Sequence, residues 1–256
     1  MRMELDKSLR KKTAKYGSLL KAYRTEGSKG VFWYSSGIVI MFLGLILGAV
    51  MAIFDIYVGM MFFGILVGAG AIFYLIGKII RGKMVENYME YYQEETGYSV
   101  EELQEADKEL MSQNAVMIGG QSWKKVVFIV TDHYFLSIWP TKSCYLRKLN
   151  DIVAAFYSDE IPGNDGYLHN LFVITQQDTK MVGKMNKFTG KKYRGFENKV
   201  LTDLPDCPKT CAEALAEIQK RAPHIITCQK IAVNGKAYNL LSMDRWEEDW
   251  IEILEK

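Results

Sequence analysis

The sequence predicts an α+β membrane protein, a two-helix transmembrane hairpin followed by a cytoplasmic antiparallel β-domain closed by a helix. Three observations carry that prediction. Residues 31–54 and 57–80 are apolar, with Lys78 at the far end of the second as their one charged side chain, and about 20 apolar residues span the roughly 30 Å hydrocarbon core of a bilayer. Only Asp55-Ile56 separates them, so the two spans form a tight hairpin. From Ala115 onward the pattern changes to short runs of β-branched and aromatic residues divided by turn formers.

Charge sets the expected orientation. The first 30 residues carry nine Lys or Arg against three acids, and Lys78, Arg81 and Lys83 cluster at the end of the second span. The link carries no Lys or Arg, so by the positive-inside bias both termini belong in the cytoplasm and the link outside. This predicts a multi-pass protein of the inner (plasma) membrane. Residues 85–256 are acidic on balance, with 26 acids against 20 bases. A cleavable signal peptide is not expected, because its apolar region would be about 7 to 15 residues long. The cysteines (Cys144, Cys207, Cys211, Cys228) fall in the part placed in the cytosol, where thiols stay reduced.

Taken in order, residues 1–30 form a basic amino-terminal segment. Leu5, Leu9, Tyr16, Leu19, Leu20 and Tyr23 offer one face of a helix before Gly27 and Gly30 interrupt it. A helix lying on the membrane surface and a partly ordered basic tail both satisfy that pattern. In the hairpin, 31–80, the pairs Gly44/Gly48 and Gly64/Gly68 lie at similar depth from the link. Small residues at that spacing let helices pack closely in lipid, either within the hairpin or between two copies of the chain. Apart from Lys78 at the end of the second, no Asp, Glu, Lys, Arg or His lies within either span, which argues against a transporter.

Residues 81–114 read as a helical connector. The second helix continues to about residue 95, Gly97 breaks it, and Ser99 with Glu102 makes a capping box for the next helix. The β-domain with its closing helix occupies 115–222, with strands expected at 124–131, 134–139, 142–147, 151–158, 168–175 and 180–185. Pro208 and Pro223 bracket the closing helix, which places Cys211, Leu215, Ile218 and Ala222 on one face. A carboxy-terminal extension, 223–256, holds an Asn234-Gly235 hairpin and a last helix over 243–255.

The run Ile129-Val130-Thr131-Asp132-His133-Tyr134-Phe135-Leu136, then Leu149-Asn150-Asp151-Ile152-Val153, then a closing helix, resembles the bacterial pleckstrin-homology-like domains, the YcxB-like families included. The resemblance covers residues 115–222. It implies a pleckstrin-homology-like (PH-like) fold displayed behind membrane helices. The chain departs from the pattern at His133, where a basic residue usually follows Thr-Asp, and residues from Gln229 onward lie beyond the common core.

Candidate sites are few. Lys180, Lys184, Lys187, Lys191, Lys192, Arg194 and Lys199 stand against one acid, Glu197, interleaved with Phe188, Tyr193 and Phe196. Such a cluster suits anionic headgroups or a phosphate, with Lys184, Lys187, Lys191, Lys192 and Arg194 as the lipid-binding candidates; an ordinary solvated loop has the same composition. Cys207-x3-Cys211-x12-His224-x3-Cys228 looks like a zinc spacing, but a buried thiol on the Leu215/Ile218 face serves as packing, and no metal is expected. His133, His169 and His224 sit in no catalytic signature. The resulting expectation is a non-catalytic interaction or scaffold protein that needs no cofactor. Its partners would be membrane lipids and another protein, not nucleic acid, with self-association through the glycines left open. The alternative is an anionic-lipid sensor acting through the basic segment.

Overall fold

A computed structural model describes residues 4–26, 29–120, 125–138, 145–163, 166–180, 199–201, 207–243 and 245–255. The architecture is α+β: two long apolar helices near the amino terminus precede antiparallel sheets. The chain divides into two compact units, Lys11–Leu103 and a second made of Met1–Arg10 with Gln104–Lys256.

At the amino terminus, Asp6 caps α1 (Lys7–Tyr16) by accepting from the Ser8 and Leu9 amides. The helix stops at Gly17, whose φ of +64° only glycine adopts readily, and α2 (Leu19–Glu26) follows. The interruption therefore comes earlier than the sequence predicts, and Gly30 lies inside the next helix.

The helical unit is organised by α3 (Lys29–Phe54) and α4 (Ile56–Glu86), which pack along each other. Asp55 alone joins them. It is extended, and its carboxylate accepts from the Tyr57 and Val58 amides at 2.8 and 3.3 Å, capping α4. The predicted continuation to residue 95 is broken at Asn87, after which α5 (Tyr88–Thr96) ends on Gly97 at φ +74°. Leu19, Leu20, Ala22 and Tyr23 of α2 are buried, and α2 packs on α4 and α5. The Tyr92 hydroxyl donates to the Leu20 carbonyl at 3.0 Å, and the Arg24 guanidinium lies 3.5 Å from the Tyr91 ring centre. The Ser99/Glu102 capping box forms in both directions and opens α6 (Val100–Leu110).

In the other unit, β1 (Val116–Gly120), β2 (Lys125–Val130), β3 (Tyr134–Ser137) and β4 (Tyr145–Lys148) pair consecutively as one antiparallel sheet. A second sheet joins β5 (Ile152–Gly163), β6 (Gly166–Thr175) and β7 (Lys199–Leu201). A short α7 (Gln176–Thr179) follows β6, closed by a Thr175/Asp178 capping box. The expected strand over 180–185 gives way to Lys180 as the cap of α7, with residues 181–185 outside the described residues. The closing helix α8 (Cys207–Arg221) packs on β1, β2, β5 and β6. Its Cys211, Ala214 and Ile218 join Val127, Phe135, Ala155, Leu171 and Val173 in one core.

The alternating residues of β5 and β6 point the other way. Ala154, Phe156, Phe172 and Ile174 form a second core with the hairpin of β8 (Lys230–Val233) and β9 (Lys236–Asn239) and with α9 (Trp246–Leu254). Asn234 at φ 51° and Gly235 at φ 80° give that hairpin the expected primed turn. The carboxy-terminal extension thus covers the second face of the β5–β6 ribbon.

Candidate functional site

Three regions carry the chemistry of this chain: the seam of the apolar helices, the polar pairs around the sheets, and an open cavity beside α9.

The two helices Phe32–Phe54 and Ile56–Glu86 each hold an 18-residue stretch of high mean hydropathy, 2.8 and 2.1, and are long enough to cross a membrane. Their seam is made by backbone contact. A methyl group built at Gly37 would lie 2.5 Å from the Tyr74 nitrogen, at Gly59 2.5 Å from the Ala52 nitrogen, and at Gly70 2.7 Å from the Gly37 oxygen. Gly44 and Gly48 also face the seam, with Leu66 and Phe63 Cβ atoms each 2.8 Å from the added carbon. Gly64 and Gly68 have open space there instead. Spacing could have revealed this: at about 100° per residue, Gly59 and Gly70 differ by only about 20° around the helix, while Gly64 and Gly68 lie roughly 140° and 180° from Gly59. The outer faces remain apolar, with Phe42 63% and Ile65 61% exposed. At one end of the pair Trp33 meets Phe73 and Tyr34 meets Tyr74, with ring centres 5.0 and 4.7 Å apart, shortly before Lys78, Arg81 and Lys83.

The basic candidates Lys184, Lys187, Lys191, Lys192 and Arg194 lie outside the described residues. The cysteine and histidine pattern is dispersed. Cys207 and Cys211 are fully buried with their sulfurs 3.6 Å apart, and the Cys207 thiol points to the His169 carbonyl at 3.7 Å, whereas Cys228 is exposed. Among the described residues no three His, Cys, Asp or Glu side chains gather as metal ligands. His169 stacks on Tyr157, whose hydroxyl lies 2.5 Å from its Nδ1. Burial, then the charge of Asp159 and the neighbouring thiols, pushes the Tyr157 hydroxyl up to about 12. His133 meets Glu109 at 2.7 Å and is held above the usual imidazole range by that hydrogen bond and charge. Glu160 is held below the ordinary carboxylate range by hydrogen bonds from Lys230 and Gln229.

The cavity, of about 780 Å³, opens between β5, α7, β8 and α9. Val153, Ile226, Ile231, Val233, Ile253 and Leu254 supply its apolar wall. On the polar side the Thr179 hydroxyl donates to the Gln176 carbonyl at 2.8 Å, and the Gln176 amide reaches the Asn150 carbonyl at 3.5 Å. Lys180 and His224 also line the cavity, and none of its eleven lining residues among the described residues is an Asp or Glu. The sequence offered no sign of this cavity, because its walls come from segments up to about 100 residues apart.

No family model, curated protein or solved structure matches this chain.

Proposed function

We propose that the chain is a two-span protein of the bacterial inner (plasma) membrane that displays a PH-like β-domain to the cytoplasm as a non-catalytic interaction or scaffold module. The observation that carries the membrane part is the contrast across the helix pair: a glycine-lined seam closed to backbone contact, and outer faces crowded with exposed Phe, Ile, Leu and Met side chains. In water that surface would be far larger than the apolar patches monomeric proteins tolerate; in lipid it is the solvated face. The aromatic pairs next to Lys78, Arg81 and Lys83 suit a membrane boundary on the cytoplasmic side. Consecutive four-stranded and three-stranded antiparallel sheets with one helix packed on both support the PH-like reading of the domain. The open surfaces at Gly64 and Gly68 leave room for a second copy of the helix pair.

The orientation is tested on intact cells or spheroplasts with a membrane-impermeant maleimide. Tyr57→Cys, at an exposed position beside the link, should label from outside, while the exposed native Cys228 should label only after lysis. Labelling of Cys228 in intact cells would overturn the cytoplasmic placement of the domain. A second reading, an anionic-lipid sensor, rests on the cationic composition of residues 180–199 and uses Lys184, Lys187, Lys191, Lys192 and Arg194.

A further inference from the structure

We infer that the cavity beside α9 is a binding site for a small aliphatic carboxylate, with its chain on the apolar wall and its charged head at Lys180. Cavities of roughly 300 to 1,000 Å³ with apolar walls and a few convergent polar groups are the usual form of small-molecule sites, and this one, at about 780 Å³, fits that description.

Charge selects the ligand class. Among the described residues Lys180 and His224 are the only Lys, Arg, His, Asp or Glu side chains lining the cavity, and the lysine ammonium favours an anion. A ligand ammonium would meet no carboxylate among the described lining residues, so its desolvation would go uncompensated. Gln176 and Thr179 already hydrogen-bond within the fold, which leaves the lysine as the main polar anchor. Among the described residues Lys180 makes no ion pair, although most of the exposed lysines and arginines around α8, β8 and α9 do, as Lys230 with Glu160 and Lys236 with Asp249 and Glu252. Its backbone is fixed, because the Lys180 amide caps α7 on the Gln177 carbonyl at 3.2 Å. The Trp246 indole in turn ties α9 to α7 by donating to the Asp178 carbonyl at 2.9 Å. Rigid elements therefore present a lysine with no ion-pair partner among the described residues beside an apolar recess, which goes beyond the interaction-module reading and does not depend on the membrane orientation.

The test uses the full chain in lipid nanodiscs, with empty nanodiscs as the control for partitioning into lipid. Binding of 8,8,8-trifluorooctanoate is followed by its ¹⁹F signal, beside the alcohol and the amine of the same length and trifluoroacetate as the chainless acid. Saturable binding of the eight-carbon acid alone is expected. Lys180→Gln, at an exposed position, should weaken it about fivefold, the order of one partly screened ion pair, and Lys180→Arg should restore most of it. Equal binding of the alcohol or the amine, unchanged affinity in Lys180→Gln, or no saturable signal above the empty discs would each overturn the assignment.

Discussion

A single carboxylate, Glu109, accepts from the Thr131 hydroxyl at 2.8 Å and meets His133 Nδ1 at 2.7 Å. It thereby joins the end of α6 to the turn between β2 and β3. Because Glu109 favours the protonated imidazole, the folded-state pKa of His133 is raised. By linkage, the stability this pair contributes is fully present below the unfolded value of about 6.5 and is lost as pH rises through the folded value. The melting temperature of the protein minus that of His133→Gln should therefore be largest near pH 6 and shrink toward pH 8.5. A difference that grows with pH would show that the imidazole is not paired in its charged form. His133 reads in the sequence as an ordinary turn histidine, since its partner lies 24 residues away and only tertiary packing brings it close.

At the scale of elements, the helix pair depends on where its glycines point. An added Cβ at Gly59 strikes Ala52 backbone atoms at 2.5 and 2.6 Å, and backbone cannot swing aside as a flexible side chain can. Gly59→Leu should cost about 1–3 kcal/mol, as overpacked interfaces do, read as a lower unfolding midpoint of the detergent-solubilised protein. Gly64→Leu and Gly68→Leu meet open space within the pair, so each should leave that midpoint within about 0.5 kcal/mol. If those two variants instead change the oligomeric state, the exposed glycine face is a contact between copies. The β5–β6 ribbon follows a similar logic of two faces. Ala155, Leu171 and Val173 serve the core under α8, while Phe156, Phe172 and Ile174 serve the core with Trp246 and Trp250. Both faces are apolar, so the ribbon needs the carboxy-terminal extension as its cover.

For the whole molecule, the exposed apolar bands decide where the protein can exist. Each apolar helix is longer than a bilayer core: 23 residues at about 1.5 Å each reach about 35 Å. The full chain should therefore stay in the membrane pellet through alkaline carbonate washing and leave it only with detergent. Recovery in the carbonate supernatant would mean that the pair lies on the membrane or folds within a soluble assembly.

The sequence by itself determined what depends on local pattern. Long apolar runs marked the two long helices, because span length and the scarcity of charge are properties of consecutive residues. The Ser99/Glu102 box and Asn234-Gly235 marked a cap and a turn through bonds or dihedral angles that reach no further than three residues. Tertiary structure decided what depends on distant partners. It turned Gly64 and Gly68 outward and brought Gly37, Gly59 and Gly70 into the seam, since helix phase sets a glycine's neighbours and depth does not. It also placed α9 over the β5–β6 ribbon and opened a cavity between segments remote in the chain, where the packing of non-consecutive surfaces alone determines shape and charge.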